Sequence, residues 1–262
     1  MQAVTLMTDH PAWRPSSTEP GTWVRAFGAS TATTAIVVAA REVPRAAAVV
    51  ADVVDPAAVR GPEVLLEPLR ADGPVVRVRT GDLWEAVGTA ITRQVIKAGH
   101  ARKLHRAFCE AHGTRTDTVA GPAWAFPRPE VVLTLSDEDF AGLGMTFFRT
   151  ALRAAAEAVS KHHQDWAGLP GADLVAALRT IRRIGPWTAH AAVADHTNRF
   201  DFYPYSDLAV RTWAARLAPS VDWPADDAGF AARWLSMAGE HLSDLTLLTL
   251  AWGVRHAQGV AV

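Results

Sequence analysis

The sequence predicts a mainly α-helical protein, α+β overall, in which a small β-rich domain precedes a helical body. Two observations support this fold class. Short β-branched or alternating runs, separated by Gly, Pro and Ser, fill the first eighty residues and are typical of strands. From residue 81 onward, apolar residues recur at helical spacing between helix-capping residues. We therefore predict a β-rich N-terminal domain over residues 1–80 and a helical body over residues 81–262.

Three strands are predicted in the N-terminal domain, in "TWVRAF", "TAIVVAA" and "PVVRVR". Each contains the β-branched or aromatic residues that are enriched in strands. Between the last two, the alanine-rich stretch "VPRAAAVVADVV" (residues 43–54) indicates one helix.

Eight to ten short helices are predicted in the helical body. The first, in "TGDLWEAVGTAITRQVI", has an N-cap candidate at Thr80. The second ends at Gly113, a residue type that often follows helices. A later helix begins with a variant capping box formed by Ser136 and Asp139. Further helices are predicted in "FFRTALRAAAEAVSKHH", "GADLVAALRTI", "GFAARWLSMAGEHL" and "DLTLLTLAWGVRHA".

Composition limits the functional classes. The 262 residues, 49% of them hydrophobic, are enough for a sizeable core. No apolar run approaches the twenty residues of a membrane span, and the start lacks the charged-then-apolar order of a secretory signal, so we expect an intracellular protein without membrane contact. Cys109 is the single cysteine, which excludes disulfides, thiolate zinc sites and cysteine-ligated iron–sulfur clusters within one chain.

The net charge of −1 gives little indication of nucleic-acid binding. Basic residues in the middle of the chain form either a local basic face or an ordinary solvated helix surface. They include Arg93, Lys97, Arg102, Lys103, Arg182 and Arg183.

A tight hairpin between two helices is predicted at residues 181–190, in "LRTIRRIGPWTAHAAV". One helix ends near Ile181, and Pro186 or Trp187 starts the next. The free N–H groups at the start of such a helix can bind phosphate. An ordinary helix–helix connection explains the same pattern.

Asp207 lies in the segment 204–211, after the possible N-cap Ser206 and therefore in the first turn of the helix "DLAVRTWAARL". The helix dipole favours an ionised carboxylate there. In isolation this position favours a structural role over a catalytic one. The inner face of the helix is predicted to consist of Val210, Trp213 or Ala214, and Leu217.

The order helix, "IGPWTA", helix, loop, "P-x-x-D-L-A-V-R" resembles the helix-hairpin-helix DNA glycosylase superfamily, closest to the bacterial 3-methyladenine DNA glycosylase II branch. Upstream, "LWEAVGTAITRQVIKAGHARKL" is similar to the family's "F-E-x-[LV]-x-x-x-I-x-x-Q" helix pair. The resemblance covers about residues 75–262. It implies a two-lobed helical body, double-stranded DNA as partner, a monomer, no metal or cofactor, and a cytoplasmic, nucleoid-associated location.

The resemblance also implies roles for individual residues. Asp207 matches the catalytic carboxylate, and Trp187 stands twenty positions before it, where the strand-cleaving enzymes of the superfamily carry a lysine. Tryptophan there implies hydrolysis without strand cleavage. The implied base pocket is formed by Trp187, Ala191 and Leu208. The implied DNA-binding residues are Gln94, Val95, which matches the residue that wedges into the base stack, Arg183, Ile184, Gly185 and Thr188.

Three departures from the family pattern suggest an altered substrate. The hairpin reads "RRIG" instead of "P-G-I-G", so that Arg183 replaces a glycine. Ala191 replaces an aromatic residue, which predicts a wider base pocket. The C-terminal segment lacks the usual "W-x-P-[WY]-R-S". The functions that stay open are a monofunctional glycosylase for alkylated purines, a relative specialised for bulky adducts, and a catalytically silent DNA-binding or damage-sensing protein.

Overall fold

The N-terminal part of the protein forms two small three-stranded sheets in the computed structural model, which describes residues 4–28, 33–44 and 49–257. Its elements are β1 (Thr5–Leu6), β2 (Arg14–Pro15), β3 (Thr22–Gly28), β4 (Thr33–Ala39), β5 (Ala51–Val54), a short 3-10 helix (Pro56–Ala58), α1 (Glu63–Asp72) and β6 (Val75–Val78). The first sheet is antiparallel in the order β2-β3-β4. In the second, β1 pairs parallel and β5 antiparallel with the central strand β6.

The three predicted strands are confirmed as β3, β4 and β6. The predicted helix over residues 43–54 is wrong where the chain is described, because its last four residues form β5, and residues 45–48 lie outside the described residues. Pairing with β6 sets this conformation, with Asp52 opposite Arg77. Helix α1 was not predicted, and Pro68 within it weakens the helical signal.

From residue 81, the described chain contains ten α-helices, within the predicted range, and one unpredicted β-hairpin. The helices are α2 (Leu83–Thr92), α3 (Ala98–His112), α4 (Pro129–Thr134), α5 (Asp137–Gly142), α6 (Arg149–Trp166), α7 (Gly171–Leu178), α8 (Pro186–Thr197), α9 (Leu208–Leu217), α10 (Asp227–Ala238) and α11 (Leu242–His256), with a 3-10 turn at Gly239–His241. The hairpin consists of β7 (Arg115–Thr118) and β8 (Gly121–Trp124).

Local capping signals predicted several helix ends well. Helix α3 ends at Gly113, and Ser136 and Asp139 form the complete capping box of α5. Two boundaries are corrected. Helix α7 ends at Leu178, earlier than the predicted end near Ile181, because the chain then makes successive tight turns.

The cap of α2 is Asp82 and not Thr80, because the Asp82 carboxylate accepts a hydrogen bond from the Glu85 N–H at 2.7 Å. Thr80 is buried, and its hydroxyl accepts from Arg25 of β3 at 2.8 Å. Thr80 therefore connects strand β3 with the start of α2 through this hydrogen bond.

Helix α2 is buried along its entire length and packs against α8. The two helices run antiparallel, since Gln94 just beyond α2 bonds to Thr188 in the first turn of α8, while the Thr80 N–H bonds to the carbonyl of Asp195 near the other end of α8. Small, buried alanines on α8 permit this close packing. The α2–α3 connection consequently lies beside the start of α8.

The N-terminal sheets are joined to the helices by polar and apolar contacts. Arg25 and Glu85 form a buried salt bridge of 3.0 Å between β3 and α2. The leucines of α1 belong to the same buried cluster as the helical body. The domain boundary at residue 80 stays a prediction.

Within the described ranges, no helix is long and apolar enough to cross a membrane. The same residues contain no group of three or more His, Cys, Asp or Glu side chains arranged to hold a metal ion.

Candidate functional site

The hairpin before α8 keeps a left-handed turn without the expected glycine. Arg183 has a φ of +70°, in the region that favours glycine. Holding a side chain in this conformation costs roughly 1–2 kcal/mol. Ile184 next to it is buried and anchors the turn. The substitution of Arg183 for glycine therefore alters the surface of the hairpin and leaves its backbone geometry in place.

The start of α8 is open at its tip. The helix begins at Pro186 as predicted, with Gly185 as its N-cap. A Cβ added to Gly185 would meet no atom within 4 Å, and its φ of −85° suits any residue. Packing and backbone conformation within the described chain therefore do not require glycine here. The first N–H groups of a helix have no intrahelical acceptor, so this end can receive an external one.

The α2–α3 connection projects an exposed valine. Val95 is 89% exposed and has a φ of +60°. A β-branched residue in this region is a conformational outlier. The adjacent Gln94 donates a hydrogen bond of 2.6 Å to the hydroxyl of Thr188, which is buried. The apex of the connection, Gln94 and Val95, is thus bonded to α8 through Gln94 and presents the apolar side chain of Val95 to solvent.

A cleft of about 400 Å³ separates this apex from the hairpin. Its lining residues are Gln94, Val95, Phe147, Thr150, Ala151, Arg183, Gly185, Trp187 and Thr188. The fold thus brings six of the predicted site residues together. The sequence reasoning missed Phe147, which is 65% exposed. The adjacent pair of phenylalanines before α6 was a usable signal, because only one of them, Phe148, is buried.

Four predicted site residues lie outside the lining of this cleft, the first of them Ile184, which is buried in the hairpin. Ala191 is fully buried on α8 within the core. Leu208, the first residue of α9, is 66% exposed. Asp207 is partly exposed just before it. The structure therefore does not bring Ala191, Leu208 or Asp207 into the lining of the cleft. The base-pocket roles of Ala191 and Leu208 and the catalytic role of Asp207 stay predictions.

Asp207 is itself the N-cap residue of α9, which corrects the expected cap at Ser206. The Asp207 N–H bonds to the carbonyl of Pro204, and this turn delays the helix by one residue. The Asp207 carboxylate makes no capping bond and accepts a hydrogen bond of 2.9 Å from the Tyr203 hydroxyl. The predicted inner face is confirmed, since Val210, Trp213, Ala214 and Leu217 are all buried.

Tyr203 is a buried donor that positions this carboxylate. Its ring stacks on Phe200, with 5.6 Å between centroids. Burial, followed by the charge of Asp207, raises the pKa of Tyr203. The hydroxyl therefore stays protonated and donates to Asp207 at neutral pH.

Arg93 is a partly buried cation, which we expected on the protein surface from the sequence. Its Nη1 lies 2.8 Å from Oδ2 of Asp195, whose other oxygen lies 2.6 Å from Nη2 of Arg77. The guanidinium carbon lies over the Trp187 ring, 5.9 Å from its centroid. Burial by itself lowers the pKa of Arg93, but Asp195 and other charges, including Asp207, raise it overall. Arg93 therefore stays charged beside Trp187.

The chain matches no protein-family model. It is 25% identical over 149 residues to a Bacillus subtilis (strain 168) protein provisionally named DNA-3-methyladenine glycosylase YfjP. This alignment covers 55% of the chain, and the chain spans about half the length of that curated relative.

Two solved structures are similar over most of both chains. The 3-methyladenine DNA glycosylase from Archaeoglobus fulgidus matches with a TM-score of 0.69 and 17% identity, covering 96% of this chain and 92% of the other. The Clostridium acetobutylicum 8-oxoguanine glycosylase/lyase, bound to duplex DNA, matches with a TM-score of 0.65 and 13% identity, covering 96% of this chain and 90% of the other. The resemblance inferred from the sequence motifs is thereby confirmed, and the chain has the fold of the helix-hairpin-helix DNA glycosylase superfamily.

Proposed function

We propose that the chain is a monofunctional DNA glycosylase, which hydrolyses the N-glycosidic bond of a damaged, alkylated purine flipped out of duplex DNA in base excision repair. The observation that carries this proposal is the setting of Asp207, a partly exposed carboxylate held at the start of α9 by a neutral donor, Tyr203. The similar proteins named as 3-methyladenine and 8-oxoguanine glycosylases support the reaction class.

Asp207 provides the charge that this reaction needs. Cleavage of the bond between the sugar and the base leaves positive charge on the sugar, which a nearby carboxylate stabilises. Water then adds to the sugar carbon, and its proton passes to a base such as Asp207. Among the described contacts, the side-chain hydrogen bond to this carboxylate comes from the uncharged Tyr203. The negative charge of Asp207 is therefore free to face the sugar.

The exposed apolar side chains around the cleft suit the extrusion of a base. Extrusion costs a few kcal/mol, because stacking and pairing are lost. Apolar side chains inserted between bases commonly hold such a gap open. Val95 and Phe147 are exposed on the same cleft, and Gln94 next to them offers an amide for minor-groove contacts. We assign the insertion to Val95 and an aromatic contact with the duplex to Phe147.

The hairpin suits a phosphate of the DNA backbone. The open N-terminus of α8 presents N–H groups beside Gly185, where no side chain blocks an approaching group. Arg183 adds an exposed positive charge to the same turn. Such contacts position a duplex without reading its sequence.

The lysines of the chain support hydrolysis without strand cleavage. A lyase step needs an amine that forms a Schiff base with the sugar. The chain's lysines are Lys97, Lys103 and Lys161, all exposed, and none lines the cleft. By the resemblance of the sequence motifs, Trp187 matches the position at which the strand-cleaving enzymes of the superfamily carry lysine.

The test is incubation of the protein with globally methylated duplex DNA and, separately, with a duplex that contains the uncharged adduct 1,N6-ethenoadenine, followed by chromatography of the released bases. We expect free alkylated purines and full-length strands that break only after alkaline treatment. Borohydride present during the reaction should trap no covalent protein–DNA adduct. Release of bulky adducts alone would favour a specialised relative, and binding without any release would favour the silent DNA-binding protein.

A further inference from the structure

The positive charge of Arg93 is held at a fixed place next to Trp187. Arg93 is the C-cap residue of α2, directly before the exposed apex. Its guanidinium carbon lies 5.9 Å from the centroid of the Trp187 ring. The bond to Asp195 keeps it there, and Asp195 in turn is fixed by Arg77 of β6.

Arg93 is engaged by a protein acceptor on one side only. Asp195 bonds to both Arg77 and Arg93, and Arg77 is also paired with Asp9 at 3.1 Å. In the described chain, Nη1 of Arg93 donates a hydrogen bond to Asp195. The other two nitrogens of Arg93 are not among the fully buried side-chain atoms that lack a hydrogen-bond partner. The side chain is 19% exposed. Donors of Arg93 therefore remain available to a molecule that enters beside Trp187.

A base stacked on Trp187 would feel this charge from either side of the ring. On the side of Arg93, it would touch the guanidinium directly. On the opposite side, the ring would separate base and guanidinium by roughly 9 Å, since stacked rings lie about 3.5 Å apart. Two like charges at that distance in a partly buried site repel enough to change an equilibrium about tenfold. A positively charged base is therefore disfavoured here.

Cleavage of the glycosidic bond increases the difference between uncharged and cationic bases. When the bond between the sugar carbon and the base nitrogen breaks, its electron pair leaves with the base. An uncharged base then develops negative charge, unless a proton arrives, whereas a cationic base leaves neutral. A fixed cation near the base stabilises the first transition state and gives the second no such gain.

We propose that Arg93 determines the substrate class of this site, directing it to uncharged damaged purines over cationic ones. This inference rests on the proposed glycosylase function. Asp207 and Arg93 then divide the charges of the transition state, the carboxylate facing the sugar and the guanidinium facing the base.

The test compares two alkylated purines of different charge in the same duplex, uncharged 1,N6-ethenoadenine and cationic 7-methylguanine. Each single-turnover release rate is divided by the spontaneous rate, and the selectivity is the ratio of the two values. Arg93→Gln should lower this ratio about tenfold, and Arg93→Lys should retain most of it because the charge is kept. A purely structural role would slow both releases equally and leave the ratio unchanged, which would overturn the proposal.

Arg79→Gln is the matched control. Arg79 pairs with Asp52 and not with Asp195, so its loss should leave the selectivity ratio unchanged. If the protein releases neither base, the glycosylase function fails, and the intact 7-methylguanine duplex can be compared in binding with its uncharged isostere, 7-methyl-7-deazaguanine. The charge argument then predicts tighter binding of the isostere by wild type and a smaller difference in Arg93→Gln. Equal affinities for wild type would refute it.

Discussion

Asp195 lies in the last turn of α8 and Asp207 at the start of α9, and their surroundings differ in both exposure and charge. Asp195 is 1% exposed and binds Arg77 and Arg93 at 2.6 and 2.8 Å. Asp207 is partly exposed and accepts its side-chain hydrogen bond from the neutral Tyr203. The same functional group is thus fully engaged in one place and left with an available charge in the other.

The difference shows how the fold separates structural from reactive carboxylates. A buried carboxylate pays a large desolvation penalty and needs good partners to be tolerated. Asp195 has them, and its consequence for the site is indirect, through the position of Arg93 beside Trp187. A carboxylate that must face a developing cation needs a donor that orients it without neutralising it. Tyr203 does this for Asp207.

The largest expected effect comes from removing the available charge. We expect Asp207→Asn to fold normally but to release damaged bases about two to four decades more slowly, the range for a positioned acid–base group. Single-turnover rates measure this. Asp201→Asn is the control, because Asp201 lies in the same loop and pairs with the exposed Arg199. Wild-type rates in Asp207→Asn would remove the catalytic assignment.

Removing the charge of Asp195, which is bound by two arginines, should lower the stability of the fold. We expect Asp195→Asn to lower the free energy of unfolding by about 3–5 kcal/mol, because Arg93 would lose its ion-pair partner and Arg77 would keep only Asp9. Urea denaturation at neutral pH measures this. Asp207→Asn should change the same quantity by less than about 0.5 kcal/mol. Similar stabilities for the two variants would contradict the distinction between the carboxylates.

A smaller loss of folding stability is expected at acid pH, and it comes from the buried histidines His105 and His10. Burial, followed by the charge of Arg25, lowers the pKa of His105 to about 3. As the pH falls through 6.5, the unfolded chain binds a proton that the folded chain excludes. The stabilisation is therefore complete above pH 6.5 and decreases by about 2 kcal/mol per histidine at pH 5.

Urea denaturation between pH 8 and pH 5 tests this. His10 contributes in the same direction, because burial and Arg25 lower its pKa as well. His105→Gln should flatten the dependence, because it removes one of the two histidines that burial keeps neutral in the folded state. A stability that is constant from pH 8 to pH 5 would show that these histidines can be protonated in the folded state.

The sequence predicted those parts of the fold that depend on neighbouring residues. Gly113, the Ser136 capping box and the start of α8 at Pro186 are local signals, and the structure agrees with them. The motifs also brought Gln94 and Trp187 to one cleft, because the family's pattern carries that long-range information.

The remaining features depend on contacts between distant segments. Arg93 and Asp195 are 102 residues apart, and no local pattern marks them as a pair. The conformation of β5 depends on its pairing with β6, and Ala191 is buried because α8 packs against α2. The one-residue error at Ser206 has a short-range cause, the turn between Asp207 and Pro204, but two possible caps in succession leave the choice open.

The smallest effect concerns Arg183, which is exposed, whereas Arg93 is partly buried. If Arg183 meets a phosphate, Arg183→Ala should weaken the binding of any duplex with little change in base preference. The slope of log affinity against log salt should fall by about 0.9, which corresponds to one phosphate contact. Arg183→Gly should retain most of the affinity, because the N–H groups of the hairpin stay accessible. It should also stabilise the fold by up to about 1 kcal/mol, since the residue has a φ of +70°.

Arg182→Ala separates this contact from general charge, because Arg182 is the exposed neighbour of Arg183 and does not line the cleft. Affinities at several salt concentrations for the three variants and wild type provide the comparison. We expect only Arg183→Ala to lose both affinity and slope. Because the slope counts ions released by contact and not the total charge of the protein, equal losses for Arg182→Ala would mean that the hairpin attracts DNA at a distance. Unchanged slopes in all variants would mean that Arg183 does not meet the DNA, and that its left-handed conformation has no compensation in binding.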